Sequence, residues 1–79
     1  MSKIRVFSTQ FCPHCVTLKQ FLKENKIEFE DIDVSENRAA LEEMIEKSGQ
    51  MGVPVIEINN EIIIGFNKER IVEILSAEN

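Results

Sequence analysis

Residues 6–15 read Val6-Phe7-Ser8-Thr9-Gln10-Phe11-Cys12-Pro13-His14-Cys15. Charged and apolar residues alternate from Lys3 to Ser8, which predicts a first strand that ends just before the cysteines. Pro13 suits the first turn of a helix, because its missing N–H is not needed there. Apolar residues then recur at helical spacing, which predicts a helix from about Pro13 to Asn25. The two cysteines are therefore expected at a strand-to-helix junction.

Length and composition limit what the chain can be. A chain of 79 residues is too short for two hydrophobic cores, so we expect a single domain over residues 1–79. A hydrophobic content of 43%, with 29% charged residues, is ordinary for a globular domain. The net charge is −5, with 9 basic residues scattered among 14 acidic ones, which argues against nucleic acid and an anionic membrane surface as partners.

The compartment bears on what two cysteines can do. We read no signal peptide at the start of the chain, and the longest apolar run, Ile62-Ile63-Ile64, is far too short to span a bilayer. We therefore expect a cytoplasmic protein. A reducing cytosol makes a structural disulfide a poor explanation for the pair, and closing so short a loop would restrict the unfolded chain little. Catalysis and metal binding are the alternatives.

The middle of the chain predicts a second strand and a second helix. Apolar Ile27, Phe29 and Ile32 are separated by acidic residues and indicate the strand. Asp33 and Ser35 can cap the helix that follows, and Ser48-Gly49-Gln50 ends it. The apolar side of this helix is formed by Ala39, Leu41, Met44 and Ile45.

The last third of the chain predicts a hairpin and a final helix. The runs 54–58 and 61–64 are rich in β-branched residues and are separated by Asn59-Asn60, a pair that tolerates a tight turn. Asn67 can cap the last helix, with Glu69 near its positive end. The expected buried stripe is Ile71, Val72, Ile74 and Leu75.

The element order is thus β-α-β-α-β-β-α. A strand, helix and strand at the start imply two parallel strands joined by a right-handed crossover. We expect an α/β fold with a four-stranded mixed sheet flanked by three helices.

Placement at the helix start would give the two cysteines different roles. Backbone N–H groups and the positive end of the helix dipole favour an anion, so we expect the pKa of Cys12 to fall from about 8.5 toward the range of ~3.5–7.5. Cys12 is then the candidate nucleophile. Cys15, one turn in and more buried, would resolve the mixed disulfide by attacking Cys12.

The two residues between the cysteines can tune this chemistry. Pro13 adds rigidity and keeps a competing N–H out of the turn. His14 places a titratable group beside the thiolate, and its cationic form would stabilise the reduced state; alternatively, it is an exposed residue that fills the loop. Half of a zinc site is the main rival interpretation, but zinc needs about four ligands and the chain has 1 histidine. Inert core cysteines are the other alternative.

Three blocks of the sequence resemble the glutaredoxins and small glutaredoxin-like proteins, and the resemblance runs nearly from end to end. The blocks are residues 6–15, Gly52-Val53-Pro54-Val55 and Ile64-Gly65-Phe66. The resemblance implies the thioredoxin fold in its minimal form and thiol–disulfide exchange as the activity. It also implies that Pro54 is cis and faces the cysteines, and that Val53 offers its backbone N–H and C=O to an extended thiol such as glutathione.

Further residues are assigned to substrate binding by the same resemblance. Lys19 matches a basic position in the family's first helix, or is a solvated helix lysine. Phe11 shields the thiolate, contacts the substrate or packs under the helix. Phe66 is a substrate-facing aromatic, a core residue or a helix-staple residue. Gly65 implies a positive φ or a close approach. The helix N-terminus after Asn67 could receive a carboxylate of glutathione.

Two positions depart from the family pattern for glutathione. Thr9 stands where many glutaredoxins carry a lysine, and Lys68 stands where they carry an aspartate. The usual partner of glutathione's amino group is therefore missing. The pair Gly65-Phe66 looks more like the glutaredoxin-like hydrogen donors that thioredoxin reductase keeps reduced.

These observations predict a dithiol oxidoreductase that reduces protein disulfides or glutathione mixed disulfides. We expect glutathione as co-substrate or a thioredoxin-reductase-type flavoprotein as reductant, no permanently bound cofactor, no metal and a monomer. One alternative is a flavoenzyme-dependent donor that does not use glutathione. The others are an iron–sulfur-binding protein, against which Pro13 argues, and an interaction domain that has lost turnover.

Overall fold

The chain forms the expected seven elements in the expected order. In the computed structural model, which describes residues 3–77, these are β1 (Ile4–Ser8), α1 (Pro13–Glu24), β2 (Glu30–Asp33), α2 (Arg38–Ser48), β3 (Val55–Ile58), β4 (Glu61–Ile64) and α3 (Lys68–Ala77). The strands lie in the order β2-β1-β3-β4. β1 pairs with β2 in parallel and with β3 antiparallel, and β3 pairs with β4 antiparallel. The predicted mixed sheet and hairpin are confirmed.

The sheet is covered by helices on both faces, because successive residues of a strand point to opposite sides. One face packs against α1 and α3. Its fully buried side chains are Val6, Ile56 and Ile58 from the sheet, Leu18 and Leu22 from α1, and Ile71 from α3. The other face packs against α2, and there Phe7 and Val55 meet Ala40 and Met44. A three-layer α/β/α arrangement results.

An ion-pair network holds α2 to the sheet. Arg5 and Glu57 lie opposite each other in β1 and β3, and Arg5 Nη1 donates to Glu57 Oε1 at 2.9 Å and to Glu43 Oε2 at 2.7 Å. Lys47 Nζ lies 2.8 Å from both carboxylates. Hydrogen bonds from Arg5 and Lys47 lower the pKa of Glu43 to about 2. Burial opposes ionisation of Glu57, but the bonds from Lys47 and Arg5 outweigh it and lower its pKa.

The second strand begins later than the sequence pattern indicates. β2 starts at Glu30, so the prediction that Ile27 and Phe29 belong to it is wrong. Both side chains are partly buried against the α1 and α3 face of the sheet. The chain first makes a turn, in which Lys26 has a φ of 57° and the Ile27 N–H donates to Leu22 O at 2.9 Å. The apolar spacing of Ile27 and Phe29 therefore reflects contact with the core before the strand begins.

The start of α2 also differs from the prediction. Its cap is Asn37, whose side chain accepts from the Ala40 N–H at 3.0 Å. Asp33 and Ser35 instead form a turn of their own, in which the Asp33 carboxylate accepts from the Ser35 N–H at 2.9 Å. The hydrogen bond from the Ser35 hydroxyl is the main reason why the pKa of Asp33 is lowered. The prediction of Asp33 and Ser35 as caps is therefore wrong, because Asp and Ser satisfy local turns as readily as helix ends.

The other helix ends are as expected. Gly49 follows α2 with a φ of 75°, the left-handed conformation that suits glycine. Asn67 accepts from the Arg70 N–H at 3.1 Å and caps α3, with Glu69 in its first turn. Val72 is 45% exposed, so its prediction as part of the buried stripe is wrong. No helix of residues 3–77 is long and apolar enough to cross a membrane.

Candidate functional site

Three loops meet at one end of the sheet because of its strand directions. The loop that contains Cys12 follows β1. Because Phe7 of β1 lies opposite Val55 of the antiparallel β3, the residues that precede β3 lie at this same end. Ile64, the last residue of β4, also lies opposite Val55, so Gly65 follows there too. The loops 9–12, 49–54 and 65–67 thus form one edge of the molecule.

Cys12 is the cap residue of α1. Its backbone is extended, with φ −133° and ψ 101°, and its Sγ accepts from the Cys15 N–H at 3.1 Å. The carbonyl of Cys12 accepts the Val16 N–H at 3.1 Å, which is the first backbone bond of the helix. Pro13 occupies the first turn, as predicted. The sulfur therefore takes the position of a capping oxygen, where a helix stabilises negative charge.

The two cysteines are joined in a disulfide whose Cα atoms are 5.2 Å apart. Cys15 is fully buried at 0% exposure, whereas Cys12 keeps 8%. His14 and Pro13 are both exposed between them. An incoming thiol would therefore meet the Cys12 sulfur first. The arrangement suits an exchange reaction in which the outer sulfur forms a mixed disulfide and the inner sulfur displaces it.

The loop before β3 offers a backbone edge. The Val53–Pro54 peptide bond is cis, as the resemblance implied. Pro54 is buried, and its carbonyl accepts from the Gly65 N–H at 2.8 Å. Val53 is partly buried, and among residues 3–77 its own backbone N–H and C=O have no backbone partner. These two groups could pair with an extended chain laid beside the loop.

Gly65 and Phe66 differ in what they contribute. Gly65 has a φ of 79°, and within the described part of the chain a Cβ built there would meet no heavy atom within 4 Å apart from its chain neighbours. The backbone angle, rather than a close approach, is thus the reason for glycine. The Phe66 ring lies 5.7 Å from that of Phe21 and packs against the core. Lys68 Nζ lies 5.5 Å from the centroid of the Phe21 ring, at the start of α3.

The remaining predicted residues have distinct surroundings. Phe11 is 94% exposed, so the interpretation that it packs under the helix is wrong. Lys19 Nζ lies 3.1 Å from Asp31 Oδ2 and forms an ion pair between α1 and β2. Within residues 3–77 the structure contains no group of three or more His, Cys, Asp and Glu side chains that could hold a metal ion.

Some residues near the site were missed by the sequence analysis. Met51 is 68% exposed, two positions before Val53, and Val16 is 50% exposed beside Cys15. Gln50, interpreted only as part of a helix end, hydrogen-bonds to the backbone of Gly52. An apolar or amide residue carries no sequence signal that separates such a position from ordinary packing or an ordinary loop.

A β-α-β-α-β-β-α fold with a disulfide-bonded cysteine pair at the start of its first helix, at the same end of the sheet as a cis-proline loop, defines a thiol oxidoreductase of the thioredoxin fold. The family model described as Glutaredoxin matches residues 4–63. The chain therefore belongs to the glutaredoxin family.

Relatives and solved structures agree with this assignment. The chain is 43% identical over 72 residues to an uncharacterized glutaredoxin-like 8.6 kDa protein in the rubredoxin operon of Clostridium pasteurianum, covering 91% of this chain and 96% of that one. It is 32% identical over 65 residues to glutaredoxin 3 of Escherichia coli strain K12, covering 82% and 78%. The crystal structure of a glutaredoxin from Archaeoglobus fulgidus matches with a TM-score of 0.84 at 28% identity, covering 95% and 87%.

Proposed function

We propose that the chain reduces disulfides of proteins, or mixed disulfides of glutathione, through the dithiol of Cys12 and Cys15. The observation that carries this proposal is the asymmetry of the pair. The Cys12 sulfur caps α1 and accepts the Cys15 N–H at 3.1 Å, while Cys15 is fully buried. A thiolate at Cys12 is stabilised by the helix end, and Cys15 is shielded from competing thiols.

The reaction proceeds in two exchanges. The Cys12 thiolate attacks one sulfur of the substrate disulfide, forms a mixed disulfide and releases the other substrate sulfur as a thiolate, which takes a proton. The Cys15 thiol then loses its proton and attacks the Cys12 sulfur. This forms the Cys12–Cys15 disulfide and releases the second substrate thiolate. The substrate gains two electrons and the protein loses them.

The surroundings of the pair suit a protein substrate. Val53 offers backbone groups that have no backbone partner among residues 3–77 to an extended segment, and two apolar side chains next to the site are strongly exposed, Phe11 at 94% and Met51 at 68%. These two apolar side chains favour a partner that buries them, which a protein segment can do better than glutathione, whose two carboxylates and amine are strongly hydrated.

The reductant is either glutathione or a thioredoxin-reductase-type flavoprotein. One observation favours the flavoprotein over glutathione. Lys68 stands at the start of α3 with its ammonium 5.5 Å from the Phe21 ring centroid, and it would repel the amine of glutathione where the family pattern has an aspartate. Both reductants belong to a reducing compartment, and we propose the cytoplasm. We propose a monomer without a permanently bound cofactor.

The proposal is tested by reduction of the oxidised protein, followed by free-thiol titration. One sample contains glutathione and the other contains thioredoxin reductase with NADPH. Reduction by either reductant, followed by transfer to insulin disulfides, supports the proposed activity, and the faster reductant is the assigned donor. Failure with both, while dithiothreitol still opens the disulfide, would contradict it.

A charge reversal separates the two reductants. Lys68→Asp should raise the rate with glutathione severalfold, because it removes a cation and supplies a partner for the amine. The rate with the flavoenzyme should stay the same. The matched control is Lys23→Asp, the same charge change near the far end of α1, about 16 Å from Cys12 at 1.5 Å per residue. Equal effects of the two variants would contradict the role given to Lys68.

A further inference from the structure

The side chain of Gln50 makes three hydrogen bonds, one to the end of α2 and two to the loop that leads to Val53. Its Nε2 donates to the Gly52 carbonyl at 3.0 Å and to Ser48 Oγ at 3.1 Å. Its Oε1 accepts from the Gly52 N–H at 2.6 Å. Both N–H donors and the carbonyl oxygen of one carboxamide are thus used within residues 48–52. Rotating the amide by 180° would place donor against donor, so the network fixes its orientation.

Gly52 is matched to this carboxamide. A Cβ at residue 52 would lie 2.7 Å from Gln50 Oε1 and 3.8 Å from its Cδ, and among residues 3–77, apart from Gly52 and its two chain neighbours, no other heavy atom would lie within 4 Å. The φ of Gly52 is outside the left-handed region, so its backbone does not require glycine. The end of the Gln50 side chain lies where a Cβ would stand, so any larger residue must push that amide away.

The backbone of Val53 lies between two fixed points. On its N-terminal side Gln50 holds both polar groups of Gly52. On its C-terminal side the Pro54 carbonyl accepts the Gly65 N–H at 2.8 Å. Val53 itself has no backbone hydrogen bond to another of residues 3–77. The loop is therefore held on both sides of the residue whose polar groups are left available.

We propose that Gln50 is a positioning residue for substrate binding: its carboxamide holds Gly52, so that the backbone edge of Val53 is fixed before the substrate arrives. This inference rests on the proposed function, in which an extended substrate pairs with Val53. An edge that is already ordered loses less conformational entropy on binding, so the carboxamide contributes to affinity without touching the substrate.

The test compares Gln50→Ala with the unaltered protein, using insulin as the disulfide probe and dithiothreitol as the reductant. The KM for insulin should rise roughly fivefold, because the loop loses ordering that is equivalent to the net contribution of about one hydrogen bond. The kcat should stay within about twofold, because Gln50 makes no contact with the sulfurs, and so should the rate at which iodoacetamide alkylates reduced Cys12. The matched control is Gln20→Ala on the exposed surface of α1, which should change neither constant.

A double-mutant cycle tests the matching of the two residues. Gly52→Ala should raise KM about as much as Gln50→Ala, because its methyl group displaces the same amide. The double variant Gln50→Ala/Gly52→Ala should have a KM no higher than either single variant, since Gln50 Oε1, the atom that the new methyl group would meet, is no longer present. Independent, multiplying effects of the two substitutions would overturn the proposal. So would an unchanged KM in Gln50→Ala, or a fall in alkylation rate parallel to the rise in KM.

Hydrogen exchange separates failure of this inference from failure of the proposed function. The Gly52 amide should be protected in the unaltered protein and lose about tenfold of that protection in Gln50→Ala, while the Val53 amide exchanges rapidly in both. Should the unaltered protein fail to reduce insulin, the proposed function is wrong, and the inference that depends on it falls with it, whatever the exchange rates. If insulin is reduced but Gly52 is equally unprotected in both proteins, only the role of Gln50 is wrong.

Discussion

The two cysteines are chemically identical side chains that differ only in where the backbone holds them. Cys12 lies at the cap of α1, where its sulfur accepts a helix N–H at 3.1 Å. Cys15 lies one turn later at 0% exposure. In the proposed reaction the helix end would stabilise charge on the outer sulfur, and burial would shield the inner one. The proposed division of roles thus depends on the position of each cysteine rather than on any special neighbour.

Gly65 offers a test of backbone geometry at the edge of the site. Its φ of 79° is left-handed, and no described residue other than its two chain neighbours has a heavy atom within 4 Å of a Cβ built there. Gly65→Ala should therefore destabilise the protein by about 1–2 kcal/mol from backbone strain alone. Urea unfolding at pH 7 measures the change. Gly65→Asn is the matched control, because Asn tolerates this conformation better, and it should cost clearly less. Equal stability of the two variants would show that strain is not the reason for glycine.

Single residues were predictable where one local rule decides them. Pro13 at a helix start, Gly65 at a left-handed angle and the cap Asn67 each depend on backbone chemistry that the residue type reveals. Gln50 and Met51 depend on what surrounds them in the folded molecule. A glutamine after Gly49 is compatible with any loop, and only the folded chain shows its carboxamide against Gly52.

At the scale of elements, α2 is held to the sheet by charge as well as by apolar contact. Glu57 on β3 is buried, with a side chain 9% exposed, and is hydrogen-bonded to both Arg5 and Lys47. Removing one partner of such a network leaves the other charged groups with fewer hydrogen bonds in a partly buried position. The network is therefore expected to contribute to stability in a pH-dependent way.

Glu57→Gln tests this contribution. The pKa values of Glu57 and Glu43 in the folded protein lie below the ordinary 4.5, that of Glu43 at about 2. The unfolded chain therefore binds more protons in this window, and stability falls as pH drops from about 4.5 toward 2. The variant should lose about 1–3 kcal/mol at pH 7 and show a shallower fall below pH 4.5. Urea unfolding at several pH values measures both.

The control for this variant is Glu42→Gln. Glu42 forms an ion pair with Arg38 at the surface, where the Glu42 side chain is 70% exposed and that of Arg38 is 90% exposed. The control substitution should change the free energy of unfolding by less than about 0.5 kcal/mol. An unchanged acid profile in Glu57→Gln, or an equal loss in the control, would contradict the account of the network.

Elements were predicted well in type and less well at their ends. Helical spacing and β-branched runs identified all seven, because each packs one face against a shared core. The start of α2 was misassigned because Asp33, Ser35 and Asn37 are all residue types that cap helices, and the sequence does not show which one does so. Ile27 and Phe29 were misassigned to β2 because the chain turns at Lys26 and the strand begins only at Glu30. These ends depend on which of several local bonds the tertiary structure selects.

For the whole molecule, the strand order brings three separate loops to one end of the sheet. The loop at Cys12 follows β1, that at Val53 precedes β3, and that at Gly65 follows β4. The parallel crossover and hairpin could be expected from element order. The register that sets Phe7 and Ile64 both opposite Val55 could not, because it depends on how the two faces of the sheet are filled.

The central claim is that Cys12 is the nucleophile, and mass spectrometry of the Cys12→Ser and Cys15→Ser variants tests it most directly. Each variant is reduced, freed of reductant and then mixed with bis(2-hydroxyethyl) disulfide at pH 6.5. The helix end should keep Cys12 partly ionised at a pH well below the ordinary thiol pKa of about 8.5. We predict that Cys15→Ser rapidly forms a stable mixed disulfide at Cys12, because the sulfur that would displace it is gone, and that Cys12→Ser forms little. Equally rapid adduct formation by Cys12→Ser, or none by Cys15→Ser, would contradict Cys12 as the nucleophile.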